Sequence, residues 1–262
     1  MTSFMEKVLS LKQEEIKKKK NSLSYADLYA SVKDLGPTNS LFQCLKNKKG
    51  IITEIKKASP SRGIFYNQDR IDELSRSYEK NGASAISLVT EKNYFLGELK
   101  DLVRVRKNVS LPILRKDFIV DEYQVLESRY FGADAVLLIA SLLSLDRLSI
   151  LLDLVHKIGM EALVEVHTQQ ELRSAFDAGA HIVGINNRNL KTLNVNLNRS
   201  RDLLSLIPKE VIKVVESGIR TGADLLKYKG FQVDAFLIGE ALVISPDPGE
   251  RLRQFLKVLK ES

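Results

Sequence analysis

Short apolar runs alternate with amphipathic segments from Gly50 to the end of the chain. The runs are rich in Val, Ile and Leu and lack strict polar alternation, which is typical of parallel strands covered on their outer face. The pattern predicts eight strands: Ile51–Ile55, Ala85–Val89, Leu111–Leu114, Ala135–Ile139, Ala162–Val166, Ile182–Ile185, Ile212–Val215 and Ala235–Ile238.

The segments between these strands carry helix-start signals. A side chain that can cap a helix, or a proline suited to the first helical position, precedes apolar residues at helical spacing. Thr168, with Glu171 three residues later, has the pattern of a capping box. The predicted starts are Asp69, Asp121, Ser144, Thr168 and Pro248.

Alternating strands and helices predict a single (β/α)8 TIM barrel, an α/β fold. A Gly-Ala pair recurs between a helix end and the next strand, at Gly82, Gly132 and Gly179. Glycine commonly ends helices, so the recurrence supports a repeated βα unit. An open doubly wound sheet is the alternative, but no Gly-x-Gly-x-x-Gly motif follows the first predicted strand.

Residues 1–48 differ from the rest of the chain. They are rich in lysine, helical in pattern and interrupted at Gly36-Pro37. We predict an N-terminal helical extension packed on the barrel of residues 49–262. The run Lys17–Lys20 indicates a solvated helix face.

Composition narrows the class of protein. The chain is 44% hydrophobic and 28% charged, as in globular proteins, and its single cysteine, Cys44, excludes an intrachain disulfide. No apolar run approaches the roughly 20 residues of a membrane span, and no secretory signal pattern opens the sequence. The net charge of +7 suits an anionic metabolite as well as nucleic acid, but there is no Trp for base stacking. We expect a cytoplasmic protein without a membrane or nucleic-acid partner.

Charged residues gather where the predicted strands end. Glu54 and Lys56 lie two residues apart in an extended segment, so both side chains point to the same, inward face. Burying an acid and an amine is costly unless they pair. The active site of a TIM barrel lies at the carboxyl ends of its strands, and here these ends supply Lys56, Lys116, Glu54, Glu165, Glu216 and Asn186.

Glycines after the last two predicted strands indicate an anion site. Ser217-Gly218 and Gly239-Glu240 lie in the loops that commonly bind phosphate in such barrels, where glycine lets backbone amides approach an anion. We therefore expect a phosphorylated small-molecule substrate. The three histidines, His156, His167 and His181, show no metal-ligand spacing, so no metal site is expected.

Six motifs, in order, resemble the indole-3-glycerol phosphate synthase family, and the N-terminal extension also looks like that of the family. The motifs are Glu54–Ser61 (EIKKASPS), Leu114–Phe118 (LRKDF), Leu163–His167 (LVEVH), Gly184–Leu190 (GINNRNL), Val215–Ile219 (VESGI) and Ile238–Leu242 (IGEAL). The resemblance implies conversion of 1-(2-carboxyphenylamino)-1-deoxyribulose 5-phosphate to indole-3-glycerol phosphate, with loss of carbon dioxide and water. This is a step of tryptophan biosynthesis and needs no cofactor.

The resemblance also implies roles for individual residues. Lys116 is the general acid that protonates the ribulose carbonyl during ring closure, and Glu165 is the acid/base that assists dehydration. Lys56 either binds the substrate carboxylate or donates a proton, and its division of roles with Lys116 stays open. Glu54, Asn186 and Glu216 position the reacting groups. The implied phosphate-binding residues are Ser59, Ser217, Gly218, Gly239 and Glu240. Arg188 is expected at the anthranilate end of the substrate, Phe118 and Leu137 are expected in the aromatic pocket, and Leu190 is a further substrate-binding residue.

Two pKa expectations follow from the predicted pocket. A lysine in a positively charged, low-dielectric site should have a lowered pKa, and a glutamate among carboxylates should have a raised one.

Phosphoribosylanthranilate isomerase is a rival, but it is expected to use a Cys and an Asp, and Cys44 precedes the first strand. A second rival is a catalytically silent basic barrel that binds nucleic acid, although acids at its mouth would repel a polyanion. We expect a monomer, with a dimer as the alternative.

Overall fold

Eight parallel strands close into a barrel in this computed structural model, which describes residues 4–66, 68–189 and 192–261. Each strand pairs with its neighbours in chain order, and the first pairs with the last. The strands are β1 Gly50–Ile55, β2 Ala85–Val89, β3 Ile113–Lys116, β4 Ala135–Ile139, β5 Glu161–Val166, β6 Ile182–Asn186, β7 Ile212–Glu216 and β8 Ala235–Ile238. This arrangement confirms the predicted TIM barrel.

Helices precede the barrel and connect its strands. A short hairpin, Ala58–Ser59 with Gly63–Ile64, follows β1. The helices are α1 Phe4–Ser22, α2 Tyr25–Val32, α3 Leu41–Leu45, α4 Ile71–Lys80, α5 Asp101–Asn108, α6 Glu122–Tyr130, α7 Leu145–Lys157, α8 Gln169–Asp177, α9 Asn198–Leu204, α10 Gly222–Leu226, α11 Glu240–Val243 and α12 Pro248–Glu261.

The third strand is the one whose predicted bounds were wrong by two residues at both ends. The prediction was Leu111–Leu114, whereas β3 runs from Ile113 to Lys116. Pro112 has no N–H to donate to a neighbouring strand, so regular pairing begins after it. The shift places Lys116 on the strand itself, beside Val89 of β2.

Most predicted helix starts are confirmed. Asp121, Ser144 and Thr168 are N-caps whose side chains accept backbone hydrogen bonds, and α12 begins at Pro248. Asp69 is not a cap in the strict sense: Arg70 holds that position, and Asp69 accepts a bond from the N–H of Ile71 at 3.3 Å.

The predicted capping box at Thr168 forms only in part. Thr168 Oγ1 accepts a hydrogen bond from the N–H of Glu171 at 3.2 Å. The Glu171 carboxylate, however, accepts from the N–H of His167 at 2.7 Å, one residue before the cap. The start of α8 is therefore tied to the residue that follows β5. The three repeated glycines, Gly82, Gly132 and Gly179, all have positive φ, as their predicted role at helix ends requires.

The helices before the barrel contact it at several points. Val8 of α1 and Leu41 and Leu45 of α3 belong to the same buried apolar cluster as inward residues of the barrel strands. Lys12 of α1 pairs with Asp117, just after β3, at 2.9 Å. These contacts join α1 and α3 to the barrel strands and to the loop after β3. Among the described residues, no helix combines the length and apolar character needed to cross a membrane.

Candidate active site

The carboxyl ends of the strands bring the predicted catalytic side chains to one cavity of about 170 Å³. Side chains two residues apart on a strand share a face, so the residues that fill the barrel interior are followed by polar ones at its mouth. Leu163 precedes Glu165 on β5 in this way, and Val214 precedes Glu216 on β7. The cavity is lined by all six predicted catalytic residues: Glu54, Lys56, Lys116, Glu165, Asn186 and Glu216.

Lys116 lies at the centre of this group. Its Nζ donates to Glu216 Oε2 at 2.9 Å and to Glu165 Oε2 at 3.2 Å, and its side chain is 18% exposed. Burial alone would lower the pKa of Lys116, but the carboxylates of Glu216, Glu165 and Glu54 raise it above its ordinary value. The expectation of a lowered lysine pKa is therefore wrong, because the pocket around Lys116 is rich in acids and not positively charged.

Glu54 and Lys56 form a second ion pair at the rim. Lys56 Nζ donates to Glu54 Oε1 at 2.6 Å, which confirms that both side chains point inward. Gly239 makes room for this pair, because a Cβ at residue 239 would lie 2.5 Å from Glu54 Oε1. Burial opposes ionisation of Glu54, but Lys56 and Lys116 together lower its pKa.

The two carboxylates beside Lys116, those of Glu165 and Glu216, differ in the direction in which their pKa is shifted. Burial raises the pKa of Glu216 to about 7, and the charges of Glu165 and Glu54 act in the same direction, against Lys116. Burial also opposes ionisation of Glu165, but Lys116 and His167 lower its pKa overall. The glutamate with the raised pKa is thus Glu216, and the expectation is wrong for Glu165. Gly184 leaves space for this carboxylate, since a Cβ there would lie 2.1 Å from Glu216 Oε1.

The predicted phosphate residues follow three neighbouring strands of the barrel, β7, β8 and β1. Ser59, Ser217, Gly218, Gly239 and Glu240 all line it. Ser217 has a φ of 65°, a left-handed conformation that is uncommon outside glycine. Asn187 supports this turn by donating from its side-chain amide to the Ser217 carbonyl at 3.0 Å.

The apolar side of the cavity includes the predicted Phe118 and Leu137. The ring of Phe95 lies 6.4 Å from that of Phe118, tilted by 50°, so two aromatic faces border the same space. Arg188 also lines the cavity, and its guanidinium donates to the Leu193 carbonyl at 3.0 Å. Leu190, also predicted to bind substrate, lies outside the described residues.

The family model for indole-3-glycerol phosphate synthase matches residues 5–255, nearly the whole chain. The chain belongs to the indole-3-glycerol phosphate synthase family. An indole-3-glycerol phosphate synthase from Dehalococcoides mccartyi is 44% identical over 258 residues, which cover 97% of this chain and 100% of that protein. One from Carboxydothermus hydrogenoformans is 43% identical over 262 residues, covering 97% of this chain and 99% of its own.

Solved structures support the same fold at much lower identity. KGPDC from Streptococcus mutans superposes with a TM-score of 0.66 at 15% identity, over 82% of this chain and 99% of that one. The 3-hexulose-6-phosphate synthase from Salmonella typhimurium gives a TM-score of 0.65 at 12% identity, over 81% and 99%. At these identities the likeness concerns the barrel alone.

Sequence reasoning missed several residues of this synthase-family site. The Glu91 carboxylate, just after β2, accepts hydrogen bonds from the N–H groups of Asn93, Tyr94 and Phe95. This turn brings Phe95 to the cavity, which Glu91 also lines. The signal was available, because Glu91 follows its strand as the other acids follow theirs. Asn187, whose amide supports the Ser217 turn, was also not predicted, and His167 was considered only as a metal ligand.

Proposed function

We propose that this chain converts 1-(2-carboxyphenylamino)-1-deoxyribulose 5-phosphate to indole-3-glycerol phosphate, as its family name implies. The observation that carries the proposal is the position of Lys116. Its ammonium lies between Glu165 and Glu216 in a cavity that has aromatic residues on one side and a glycine-rich anion site on the other. A substrate with an aromatic ring at one end and a phosphate at the other matches that division.

Binding at the two ends of the cavity would orient the flexible sugar. The phosphate would accept hydrogen bonds from backbone amides of the loops at Ser217-Gly218 and Gly239-Glu240, and the anthranilate ring would pack against Phe118 and Phe95. Remote binding energy of this kind lowers the entropic cost of bringing reacting atoms together. The ribulose carbonyl then lies near the middle of the cavity, where Lys116 is.

Ring closure requires a proton at the carbonyl oxygen while the ring carbon attacks the carbonyl carbon. Lys116 would be the donor: its raised pKa keeps it protonated at neutral pH, and the oxygen becomes basic as the new bond forms. Glu165 and Glu216 hold the ammonium in place and stabilise its charge. The carboxylate of the substrate then leaves as carbon dioxide, and the ring regains its aromaticity.

Dehydration needs an acid for the departing hydroxyl and a base for the neighbouring carbon. Glu165 would serve as this acid/base, with Glu216, Glu54 and Asn186 positioning the reacting groups around it. Lys56, which pairs with Glu54, would bind the substrate carboxylate or act as a second proton donor. Lys116 pairs with Glu165 and Glu216, and these pairings fit either division of roles.

We also infer that the protein acts as a cytoplasmic monomer, without a nucleic-acid or membrane partner. The acidic groups at the mouth, Glu54, Glu165 and Glu216, oppose the approach of a polyanion. Sedimentation of the purified chain tests the monomer, and a DNA-binding titration at low salt tests the absence of a nucleic-acid partner.

The experiment is turnover of the carboxyphenylamino-deoxyribulose phosphate, followed by the absorbance or fluorescence of the indole product. The chain has no Trp, so protein emission does not mask the signal. We expect turnover by the wild type and a loss of kcat of about 10²–10⁴-fold in Lys116→Met, with substrate binding retained. Glu165→Gln should lose kcat on the same scale, because Gln cannot donate a proton.

Lys100→Met is the matched control, since the Lys100 side chain is exposed and pairs with Glu98, and neither residue lines the cavity. It should turn over like the wild type. No turnover by the wild type, with phosphate still bound, would overturn the proposed activity while leaving the barrel and its anion site in place. Full activity of Lys116→Met would overturn the role of Lys116 alone.

A further inference from the structure

His167 lies directly behind Glu165 and does not line the substrate cavity. Its Nε2 is 3.5 Å from Glu165 Oε1, while the other oxygen of Glu165 faces Lys116. The side chains of His167 and Glu165 are 9% and 2% exposed. Among the described residues, neither Nε2 nor Oε1 has a hydrogen-bond partner. Two polar atoms that are buried and unsatisfied therefore face each other next to the proposed chemistry.

The other ring nitrogen connects this pair to the surface. His167 Nδ1 lies 3.2 Å from Glu171 Oε2, the same oxygen that accepts a bond from the backbone N–H of His167. The Glu171 side chain is 20% exposed at the start of α8. Glu165, His167 and Glu171 thus form a continuous line of titratable groups from the cavity wall to solvent.

The geometry of this line requires one mobile proton. When Nδ1 carries its proton toward Glu171, a neutral imidazole presents a lone pair at Nε2 to the lone pairs of the Glu165 carboxylate. Two buried acceptors that face each other without a proton are unfavourable. A proton between them gives either an imidazolium beside a carboxylate or an imidazole beside a carboxylic acid. The second form is Glu165 ready to act as an acid.

The proposed reaction also creates a demand for that proton. The substrate carboxylate leaves as neutral carbon dioxide, so each turnover takes up one proton from solvent. Ring closure consumes one proton, loss of water consumes another, and the carbon beside the nitrogen returns one. Glu165 has a lowered pKa and is buried, so it needs a partner that keeps it supplied.

We propose that His167 is a positioning residue that stores a proton for Glu165 and passes it on during dehydration, with Glu171 as the connection to solvent. The inference rests on the proposed function. The proton moves from His167 Nε2 to Glu165 Oε1, Glu165 protonates the departing hydroxyl, and that hydroxyl leaves as water. The imidazole left behind carries its remaining proton on Nδ1, so it must regain the second one at Nε2. The ring turns to bring Nε2 to the partly exposed Glu171 carboxylate, which passes on a proton from solvent, and then turns back.

The charges around His167 favour this storage role. Carboxylates face it from β5 (Glu165), from α8 (Glu171) and from β7 (Glu216), while Lys116 of β3 lies beyond Glu165. Burial lowers the pKa of His167, but the bond to Glu171 and the three negative charges raise it above its ordinary value. The raised pKa extends to higher pH the range in which the imidazole keeps its proton, so turnover should decline as pH rises through that pKa.

The test is the pH profile of kcat for His167→Asn, measured with and without added imidazole. Asn keeps the backbone bond to Glu171 but cannot titrate. We expect kcat to fall about tenfold or more with little change in KM, and its alkaline decline to begin at a lower pH. Added imidazole should restore part of the lost rate, because a small diffusible acid can replace a missing proton donor.

Two further variants complete the experiment. Glu171→Gln should show a smaller loss with the same response to imidazole, and it keeps the proposal testable if His167→Asn does not fold. His156→Asn is the control, since His156 packs on His181 away from the cavity, and its profile should match the wild type. An unchanged profile in both His167→Asn and Glu171→Gln, or an equal loss at every pH without rescue, would overturn the relay. Absence of turnover in the wild type would instead refute the proposed function, and the relay with it.

Discussion

Two buried ionic clusters lie back to back on β3, and they differ in how completely their charges are satisfied. The site cluster faces the barrel interior and consists of Glu54, Lys56, Lys116, Glu165 and Glu216. The anchor cluster joins β3 to helices α1 and α6 and consists of Lys12, Arg115, Asp117 and Glu127, of which Asp117 also borders the cavity. Arg115, Lys116 and Asp117 are consecutive, and side chains alternate near the strand end. Lys116 therefore belongs to the site cluster, and its two neighbours belong to the anchor cluster.

Every oxygen of Asp117 in the anchor cluster has partners. Oδ1 accepts from Lys12 Nζ at 2.9 Å and from the N–H of Phe118 at 2.8 Å. Oδ2 accepts from Thr90 at 2.7 Å and from Arg115 at 2.9 Å. Burial opposes ionisation of Asp117, but Arg115 and Lys12 hold its pKa well below the usual range. This cluster is fixed in one protonation state, which suits a structural role.

The site cluster is left incomplete. Oε1 of Glu165 and Oε1 of Glu216 have no hydrogen-bond partner among the described residues, and the pKa of Glu216 is raised to about 7. Such groups are costly in a folded protein, and they concentrate where chemistry needs them. The comparison therefore separates charges that hold the fold from charges that are available to substrate.

The largest effect on folding should come from breaking the anchor cluster at Lys12. Lys12→Met keeps the apolar stem but removes one of two cations from the buried Asp117, and helix α1 loses its attachment beside β3. We expect the free energy of unfolding to fall by about 3 kcal/mol, because a buried charge loses a partner. Urea unfolding measures the change.

The matched control for this variant lies on the same helix. Lys17 is exposed, so Lys17→Met should change the free energy of unfolding by no more than about 0.5 kcal/mol. Equal effects of the two substitutions would show that the anchor cluster does not stabilise the fold, and the contrast between the clusters would then lose its basis.

A change in the site cluster should have the opposite sign. The pKa of Glu216 rises from an ordinary 4.5 to about 7 on folding, so the folded protein binds more protons between these values and loses stability as pH rises through them. Glu216→Gln has no charge to bury. We expect its free energy of unfolding to exceed that of the wild type by about 1–3 kcal/mol at pH 8, and the difference to close below about pH 5.

Urea unfolding at several pH values tests this sign. Glu14→Gln, on the exposed face of α1, should show no such pH-dependent gain. A loss of stability in Glu216→Gln at pH 8 would mean that the pair with Lys116 outweighs the cost of burying the third carboxylate, and that the site cluster is as structural as the anchor cluster.

The placement of the site residues was predictable from sequence, because two simple regularities determine it. Parallel topology brings all strand ends to one mouth, and the period of two selects which neighbours face inward. Lys116 and Glu165 follow from these rules directly. The same rules reach Glu91, which was missed only because no polar residue was sought after the second strand.

The energetics of the site were not predictable in the same way. The pKa directions of Lys116 and Glu165 were both misjudged, since they depend on how many charges lie within a few ångströms and on which oxygen each one contacts. The partners of Asp117 also come from distant sequence: Lys12 approaches from a helix that precedes the barrel. A motif names the residue types, but only the assembled barrel shows which charges are satisfied.

The smallest effect should come from an ion pair outside both clusters. Arg62, in the loop after β1, pairs with Glu240 at 2.7 Å, and its side chain is 48% exposed. Solvent screens such a pair, so Arg62→Gln should lower the free energy of unfolding by less than about 1 kcal/mol, and the difference should vanish in 1 M salt, where the Debye length is about 3 Å. Urea unfolding of Arg62→Gln and the charge-preserving Arg62→Lys at both salt concentrations measures this. A salt-independent loss as large as that of Lys12→Met would mean that exposure does not distinguish these ion pairs. The number of partners of each charged group alone would then have to explain why the anchor cluster stabilises the fold and the site cluster is available to substrate.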